Sequence, residues 1–200
     1  PSVLVRILNG YFERMARAER SAVVRLYLAA ALQRLDHAAR WNIAAALLTH
    51  AEDAADQNLP TMIWLGVEPL VAGNPALALE RASSGSIPMV ARYVARRTVD
   101  ADALEPLVAA VGKPSKMHAS LLEGMRDGLE GRVDLAPPTA WASTFERLKR
   151  SPDSRVARLA GEVAEQFGDT ESARRNLTAV RTAASPIEVR RKALRTLAAQ

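Results

Sequence analysis

Apolar residues along this chain recur with a helical period. Val156, Leu159, Ala160, Val163, Ala164 and Phe167 fall at i, i+3, i+4, i+7, i+8 and i+11, which is one apolar stripe along one helix. Leu104, Leu107, Val108 and Val111 repeat the spacing, as do Trp141, Phe145 and Leu148. Alanine and leucine are abundant and favour helix intrinsically. No sustained period-two alternation of β-branched residues occurs, so no sheet is predicted.

Start and stop signals divide the pattern. Asn74-Pro75, Ser151-Pro152 and Ser185-Pro186 each set a capping side chain before a proline at the first helical position. Asp102 with Glu105 reads as an acidic capping box. Gly112, Gly131 and Gly168 stand where helices are expected to stop. The predicted helices are 3–17, 21–35, 38–50, 61–72, 75–84, 87–97, 102–111, 115–129, 138–149, 152–167, 170–182 and 186–199. The two longest irregular stretches, Glu52 to Leu59 and Gly131 to Pro137, are too short for interdomain linkers.

Helices of this length with short connections predict an all-α fold of stacked antiparallel helix pairs, an α-solenoid over residues 1–200 as a single domain. A weak internal repeat supports it. Val24-Arg25, Leu28 and Leu32 give V-R-x-x-A/L-x-x-x-L; Val189-Arg190, Ala193 and Leu197 give it again; Val156-Ala157, Ala160 and Ala164 are a degenerate copy. The pattern resembles the second helix of a HEAT repeat (the armadillo-type helical class), in which the valine packs inward and the arginine beside it braces neighbouring repeats. The tryptophan, glycine and tyrosine pattern of tetratricopeptide repeats is missing.

Residues 56–97 form the irregular middle of this pattern. The segment Asp56-Gln57-Asn58-Leu59-Pro60, followed by Met62-Ile63-Trp64-Leu65-Gly66-Val67-Glu68-Pro69-Leu70, is apolar nearly all round from Thr61 onward. Such a helix is expected to be buried on several sides. Glu68 inside it then needs a partner, because a lone buried charge is expensive. The expected partner is Arg92 or Arg96 on the Ile87–Arg97 helix, with Arg40 as the runner-up. Asp56 and Asn58 are expected to join by capping the helix, and Trp64 to pack beside the pair. Pro69 is expected to kink that helix or end it early.

With Asn74-Pro75 and Ile87-Pro88-Met89-Val90-Ala91-Arg92-Tyr93-Val94-Ala95-Arg96-Arg97, this segment resembles the HEAT-repeat region of large multidomain "membrane-bound dehydrogenase-like" proteins of planctomycetes and related bacteria. The match is best from Ser21 to Arg97. In that family a sugar-dehydrogenase-like β-propeller comes first, helical repeats follow, and a c-type cytochrome domain often closes the chain. The resemblance implies a periplasmic or exported parent. It assigns no redox residue here, since neither propeller strands nor a C-x-x-C-H haem motif is present. Pro1-Ser2-Val3-Leu4-Val5-Arg6 reads like the interior of a helical array, and the last predicted helix runs on without a stop signal. The expectation is a segment of a longer protein, with its outer helices exposed.

Composition narrows the chemistry further. Of the 200 residues, 48% are hydrophobic and 24% charged, the balance of an ordered globular chain. No apolar run is long enough for a membrane-spanning helix, so no membrane insertion is expected. The absence of cysteine removes disulfides, thiolate metal sites, a cysteine nucleophile and covalent haem attachment from this piece. His37, His50 and His118 share no i+3 or i+4 spacing, and no phosphate loop, nucleophile elbow or H-E-x-x-H occurs. No catalytic, cofactor or metal residue is therefore assigned. The net charge of +5 is dispersed, with acidic residues among the basic ones throughout, so no nucleic acid is expected. Trp41, Trp64 and Trp141 sit at apolar helix positions, where core packing is expected.

Three readings of function follow. The first is a non-catalytic scaffold that connects a dehydrogenase-like propeller and a cytochrome c domain, its partners being neighbouring domains or another protein. The second is a nucleic-acid-binding array using Arg96, Arg97, Arg174, Arg175, Arg190 and Arg191 on one face. The third is an enzyme centred on Asp53, Asp56 and Glu68, with the first two carboxylates on an open loop.

Overall fold

The computed structural model describes residues 3–132 and 136–198, with side chains for all of these except 3–6 and 169–173. The described residues are helical or irregular, and none forms a strand. The helices are α1 (Val3–Ala18), α2 (Ala22–Ala31), α3 (His37–Leu47), α4 (Leu59–Val71), α5 (Pro75–Ser84), α6 (Pro88–Asp100), α7 (Leu104–Val111), α8 (His118–Leu129), α9 (Trp141–Leu148), α10 (Ser154–Arg181) and α11 (Ile187–Ala198). Two 3-10 turns, Leu32–Arg34 and Ala51–Ala55, lie between them. The all-α expectation holds.

The caps follow local chemistry. Ser21, Asp36, Asn74 and Asp153 each accept a backbone N–H of the first turn that follows. Several expectations fail. Asp153, not Ser151, caps α10, which begins two residues beyond Pro152, and α11 begins at Ile187, one residue beyond Pro186. Asp102 does not start α7; it takes a left-handed φ of 56° directly after α6, where it reverses the chain, and Ala103 precedes α7 without a side-chain cap. Gly168 does not stop a helix, because α10 runs unbroken through it and joins the two predicted segments. A glycine weakens a helix interior without ending it when neither a proline nor a left-handed residue follows. Pro69 likewise leaves α4 intact to Val71, since so close to the end it removes little of the hydrogen-bond ladder. Residues 133–135, within the second irregular stretch, and residue 199 of the last predicted helix lie outside the described residues.

The chain divides into two compact units, residues 1–128 and 129–200. In the first, α1 packs on α3, α2 on α4, α4 on α6 and α5 on α7, so each helix meets the one two elements later. Hydrogen bonds between side chains and distant partners recur at separations of 28, 29, 32, 34 and 35 residues. Glycines permit the closest approaches. A Cβ on Gly66 of α4 would stand 2.6 Å from Leu32 Cδ1, and one on Gly124 of α8 would collide with the Arg92 carbonyl and stand 2.8 Å from Ala95 Cβ. The core is aliphatic, with Leu32, Ile43, Leu47, Ile63, Leu79, Leu107, Leu121 and Met125 fully buried.

In the second unit α10 packs against α9 and α11. Its core is mainly aliphatic, with Leu148, Val156, Leu159 and Val163 buried, and an aromatic cluster joins it: Trp141 stacks on Phe145 at 5.9 Å and meets Phe167 edge-on at 5.3 Å.

Candidate functional site

The most buried charged groups among the described residues of the first unit form an ion pair. Arg25, on α2, and Asp53, on the 3-10 turn Ala51–Ala55, are each only 2% exposed. Arg25 Nε donates to Asp53 Oδ2 at 2.6 Å, and its Nη2 donates to Oδ1. This fork-to-carboxylate geometry is the strong form of the interaction. Arg25 Nη1 donates to the Glu19 carbonyl at 2.9 Å, and Nη2 lies 3.5 Å from Glu52 Oε1. The Asp53 hydrogen bond holds the Arg25 guanidinium above its already high ordinary pKa, against the opposing effect of burial. His50 closes the cluster, with Nδ1 3.0 Å from Glu52 Oε1 and Nε2 2.8 Å from the Ala16 carbonyl.

Asp53 is therefore neither exposed nor on an open loop, as the sequence suggested. The valine–arginine motif is also partly inverted. Arg25 braces the next element, as the HEAT resemblance implies, but it is more buried than Val24 beside it, and Val23 is exposed. The second copy behaves differently: Val189 is exposed and Arg190 Nε donates to the Val180 carbonyl at 3.1 Å. The cue to Arg25 was in the sequence, a lone charge in the run Ala22-Val23-Val24-Arg25-Leu26-Tyr27-Leu28. It is the same cue that singled out Glu68.

Glu68 itself has a partner, but neither the one nor the setting expected. Its Oε1 accepts from Arg97 Nε at 2.8 Å, and the two side chains are 36% and 32% exposed. Arg92 turns instead to α8, where its Nε meets Asp127 Oδ2 at 2.7 Å. Arg126 joins that carboxylate at 3.0 Å. Arg96 is exposed on the outer side of α6. Arg40 donates to the carbonyls of Gly66, Gln33 and Leu35, clamping the end of the 3-10 turn Leu32–Arg34 to α4. The reason is helical phase: Arg97, one full turn beyond Tyr93, shares the edge of α6 that faces α4, while Arg92 and Arg96 do not.

Asp56 caps α4 as expected, accepting the N–H groups of Asn58 and Leu59 at 2.8 Å each, which lowers its pKa. The Asn58 side chain makes no cap, so that part of the expected network is absent. Trp64 is half-buried and meets Tyr93 edge-on at 5.5 Å. Trp64–Tyr93 and Glu68–Arg97 thus form two successive rungs between α4 and α6, one turn apart on both helices. The two helices therefore run parallel.

Val23 and Tyr27 on α2, Leu65 on α4 and Tyr93 on α6 are exposed apolar side chains. The full burial expected of α4 is not met, since Thr61, Leu65 and Pro69 reach solvent. Trp41 and Trp141 are buried as expected.

Compared with models of protein families, with curated proteins and with solved structures, the chain matches none. Its chemistry is read from its own side chains. Asp53 is held by Arg25, Asp56 by backbone N–H groups and Glu68 by Arg97, so these three carboxylates act as acceptors in structural bonds. Among the described residues no group of three or more His, Cys, Asp or Glu could hold a metal ion. Among them, too, no helix is long and apolar enough to cross a membrane.

Proposed function

We propose that this chain is a non-catalytic helical-repeat scaffold of HEAT type, connecting a dehydrogenase-like propeller and a cytochrome c domain in an exported redox protein. The observation that carries the reading is the spacing of its cross-links. Polar contacts in the first unit join residues that lie 28, 29, 32, 34 and 35 positions apart in the chain, as expected where each repeat buries its face against the next. The charged side chains between those helices bind one another and the backbone. Trp64 and Tyr93 offer residue types that dominate protein interfaces.

The two alternatives draw less support. For nucleic acid, Arg97 is paired with Glu68, Arg191 with Glu188, and Arg190 with a backbone carbonyl. For an enzyme, the three carboxylates of the supposed centre are each already engaged. Cross-linking mass spectrometry on the protein purified from its source decides the matter. Cross-links from α2, α4 and α6 to a propeller or haem-bearing domain support the scaffold. Their absence, with substrate turnover by the isolated chain, overturns it.

A further inference from the structure

The charge of this chain is less dispersed than the run of the sequence suggested. Residues 174–198 hold seven basic residues and one acidic, whereas the rest of the chain holds 20 of the 27 basic and 21 of the 22 acidic residues. The whole positive surplus therefore sits in the last two turns of α10 and in α11, two helices that pack on each other. An anionic partner is steered to this pair.

α11 also carries an apolar line that its own unit leaves open. Ile187 is 71% exposed and Leu194 52%. Seven residues apart, they stand two turns from each other along one edge of the helix. Ala193 is buried, and Arg190 and Leu197 are half-buried, which marks the side of α11 that packs on α10. The line from Ile187 to Leu194 lies about a quarter turn round from that side. Arg190 and Arg191 fall in the turn between the two apolar side chains, one on each side of the line. Arg190 Nε is tied to the Val180 carbonyl at 3.1 Å, which fastens α11 to α10. Arg191, Lys192 and Arg195 stand exposed on the far side of the line. Glu188, the lone acid, lies 3.1 Å from Arg191 Nη1.

We propose that α11 docks this protein on an anionic lipid surface, with Ile187 and Leu194 dipped below the headgroups. The aliphatic stems of Arg191 and Arg195 then run beside the apolar line, and their charged ends reach the lipid phosphates. A bilayer offers an apolar layer under a negative one to any convex helix, whereas a protein partner would need a groove that combines the two. Nucleic acid answers the charge, but its phosphates have no use for apolar side chains set among the arginines. A second copy of α11 brings the same cations and is repelled. No described helix is long and apolar enough to cross a membrane, so α11 lies in the plane of the surface. The surface is separate from α2, α4 and α6, and the proposal does not rest on the scaffold reading.

Vesicle flotation of the whole chain tests it. The protein should bind vesicles of phosphatidylcholine and phosphatidylglycerol at two to one, leave pure phosphatidylcholine alone, and lose binding as salt rises. Ile187→Ser with Leu194→Ser should weaken the binding by about tenfold. Arg191→Gln, Lys192→Gln and Arg195→Gln together should weaken it by about a hundredfold. All five side chains are exposed, so circular dichroism should match the wild type, which separates lost binding from lost folding. Equal binding to both kinds of vesicle, no binding to either, or binding indifferent to the serine variant overturns the proposal. So does duplex DNA of random sequence bound more tightly than the anionic vesicles at the same salt, because charge alone would then account for the surface.

Discussion

The two units use the same helical pattern and hold themselves together differently. In residues 1–128 three ion pairs join separate elements, Arg25 to Asp53, Glu68 to Arg97 and Arg92 to Asp127, beside local ones such as Arg126 with Asp127. In residues 129–200 the ion pairs described are local, Arg158 with Glu162, Arg150 with Glu146 and Arg191 with Glu188, each three or four residues apart. Local pairs stabilise a helix wherever it sits; non-local pairs fix one helix against another. The second unit packs Leu148, Val156, Leu159 and Val163 beside the aromatic cluster of Trp141, Phe145 and Phe167, and it leaves Ile187, Val189 and Leu194 of α11 exposed. Cross-element ion pairs therefore help fix the packing register in the first unit, whereas apolar side chains carry most of it in the second.

The contrast breaks most sharply at the buried pair. Asp53→Ala strands the Arg25 charge in the core and should cost about 3–5 kcal/mol. Denaturant melts should show the loss in the first unit, with the Trp141 fluorescence of the second scarcely moved. Replacing both partners by apolar residues, Arg25→Met with Asp53→Leu, should recover most of it, because no unpaired charge remains. Glu188→Ala, which breaks a local exposed pair, should cost only about 0.2–0.5 kcal/mol.

Glycines give the same contrast with opposite signs. Gly124→Ala would drive a methyl into the Arg92 carbonyl and should destabilise the first unit by about 1–3 kcal/mol, the usual effect of overpacking. Gly161→Ala, in α10, meets nothing within 4 Å. It should stabilise the second unit by about 0.5–1 kcal/mol through helix propensity alone. Thermal melts of the two variants check both signs.

Acid should also separate the units, because three carboxyls held below their ordinary range, Glu52, Asp56 and Asp127, lie in the first. The Glu52 carboxyl is lowered by its own backbone N–H and then by His50. Asp56 is lowered by the N–H groups of Leu59 and Asn58. Asp127 is partly desolvated, which raises it, yet Arg126 and Arg92 outweigh the burial and lower it. A group depressed in the fold contributes stability above its unfolded pKa of about 4 and loses it as pH falls through the folded value. The first unit should therefore weaken below about pH 4 while the helicity of α10 persists. Asp56→Asn keeps an acceptor for the cap and removes its titration, so it should flatten the acid slope. Circular dichroism against pH shows it.

How much of this was legible depends on the range of the interaction. Helix positions and most caps follow from residues within one turn, and Asn74-Pro75 was readable for that reason. The fusion of α10 was not: Gly168 looks the same whether a helix ends there or continues, and only packing decides. The need of Glu68 for an arginine was readable from a charge in an apolar segment. Which arginine was not, since Arg92, Arg96 and Arg97 differ only in phase around α6, and that phase is set by how α6 lies on α4. Asp53 was missed because its acidic neighbours Glu52 and Asp56 gave the segment the look of a solvated loop.

Among the pairs that join separate elements, a small effect is expected at Glu68, where burial decides the size. A fully buried pair there would make truncation as damaging as at Asp53. The structure leaves both Glu68 and Arg97 about one-third exposed, at 36% and 32%, so water screens the pair and can solvate Arg97 once its partner is gone. Glu68→Ala should thus cost about 1 kcal/mol or less, and Glu68→Gln less still, because the amide oxygen keeps a hydrogen bond to Arg97 Nε. The Trp64–Tyr93 contact one turn away holds α4 on α6 without it, and an aromatic pair of this geometry contributes about 0.5–1.5 kcal/mol beyond its buried area. Trp64→Ala should therefore exceed Glu68→Ala. A double-mutant cycle between the two positions should show weak coupling, since neither rung needs the other. Equal losses for Glu68→Ala and Asp53→Ala in denaturant melts would show that exposure does not set the worth of these pairs, and the contrast between cross-helix and local charges would lose its basis.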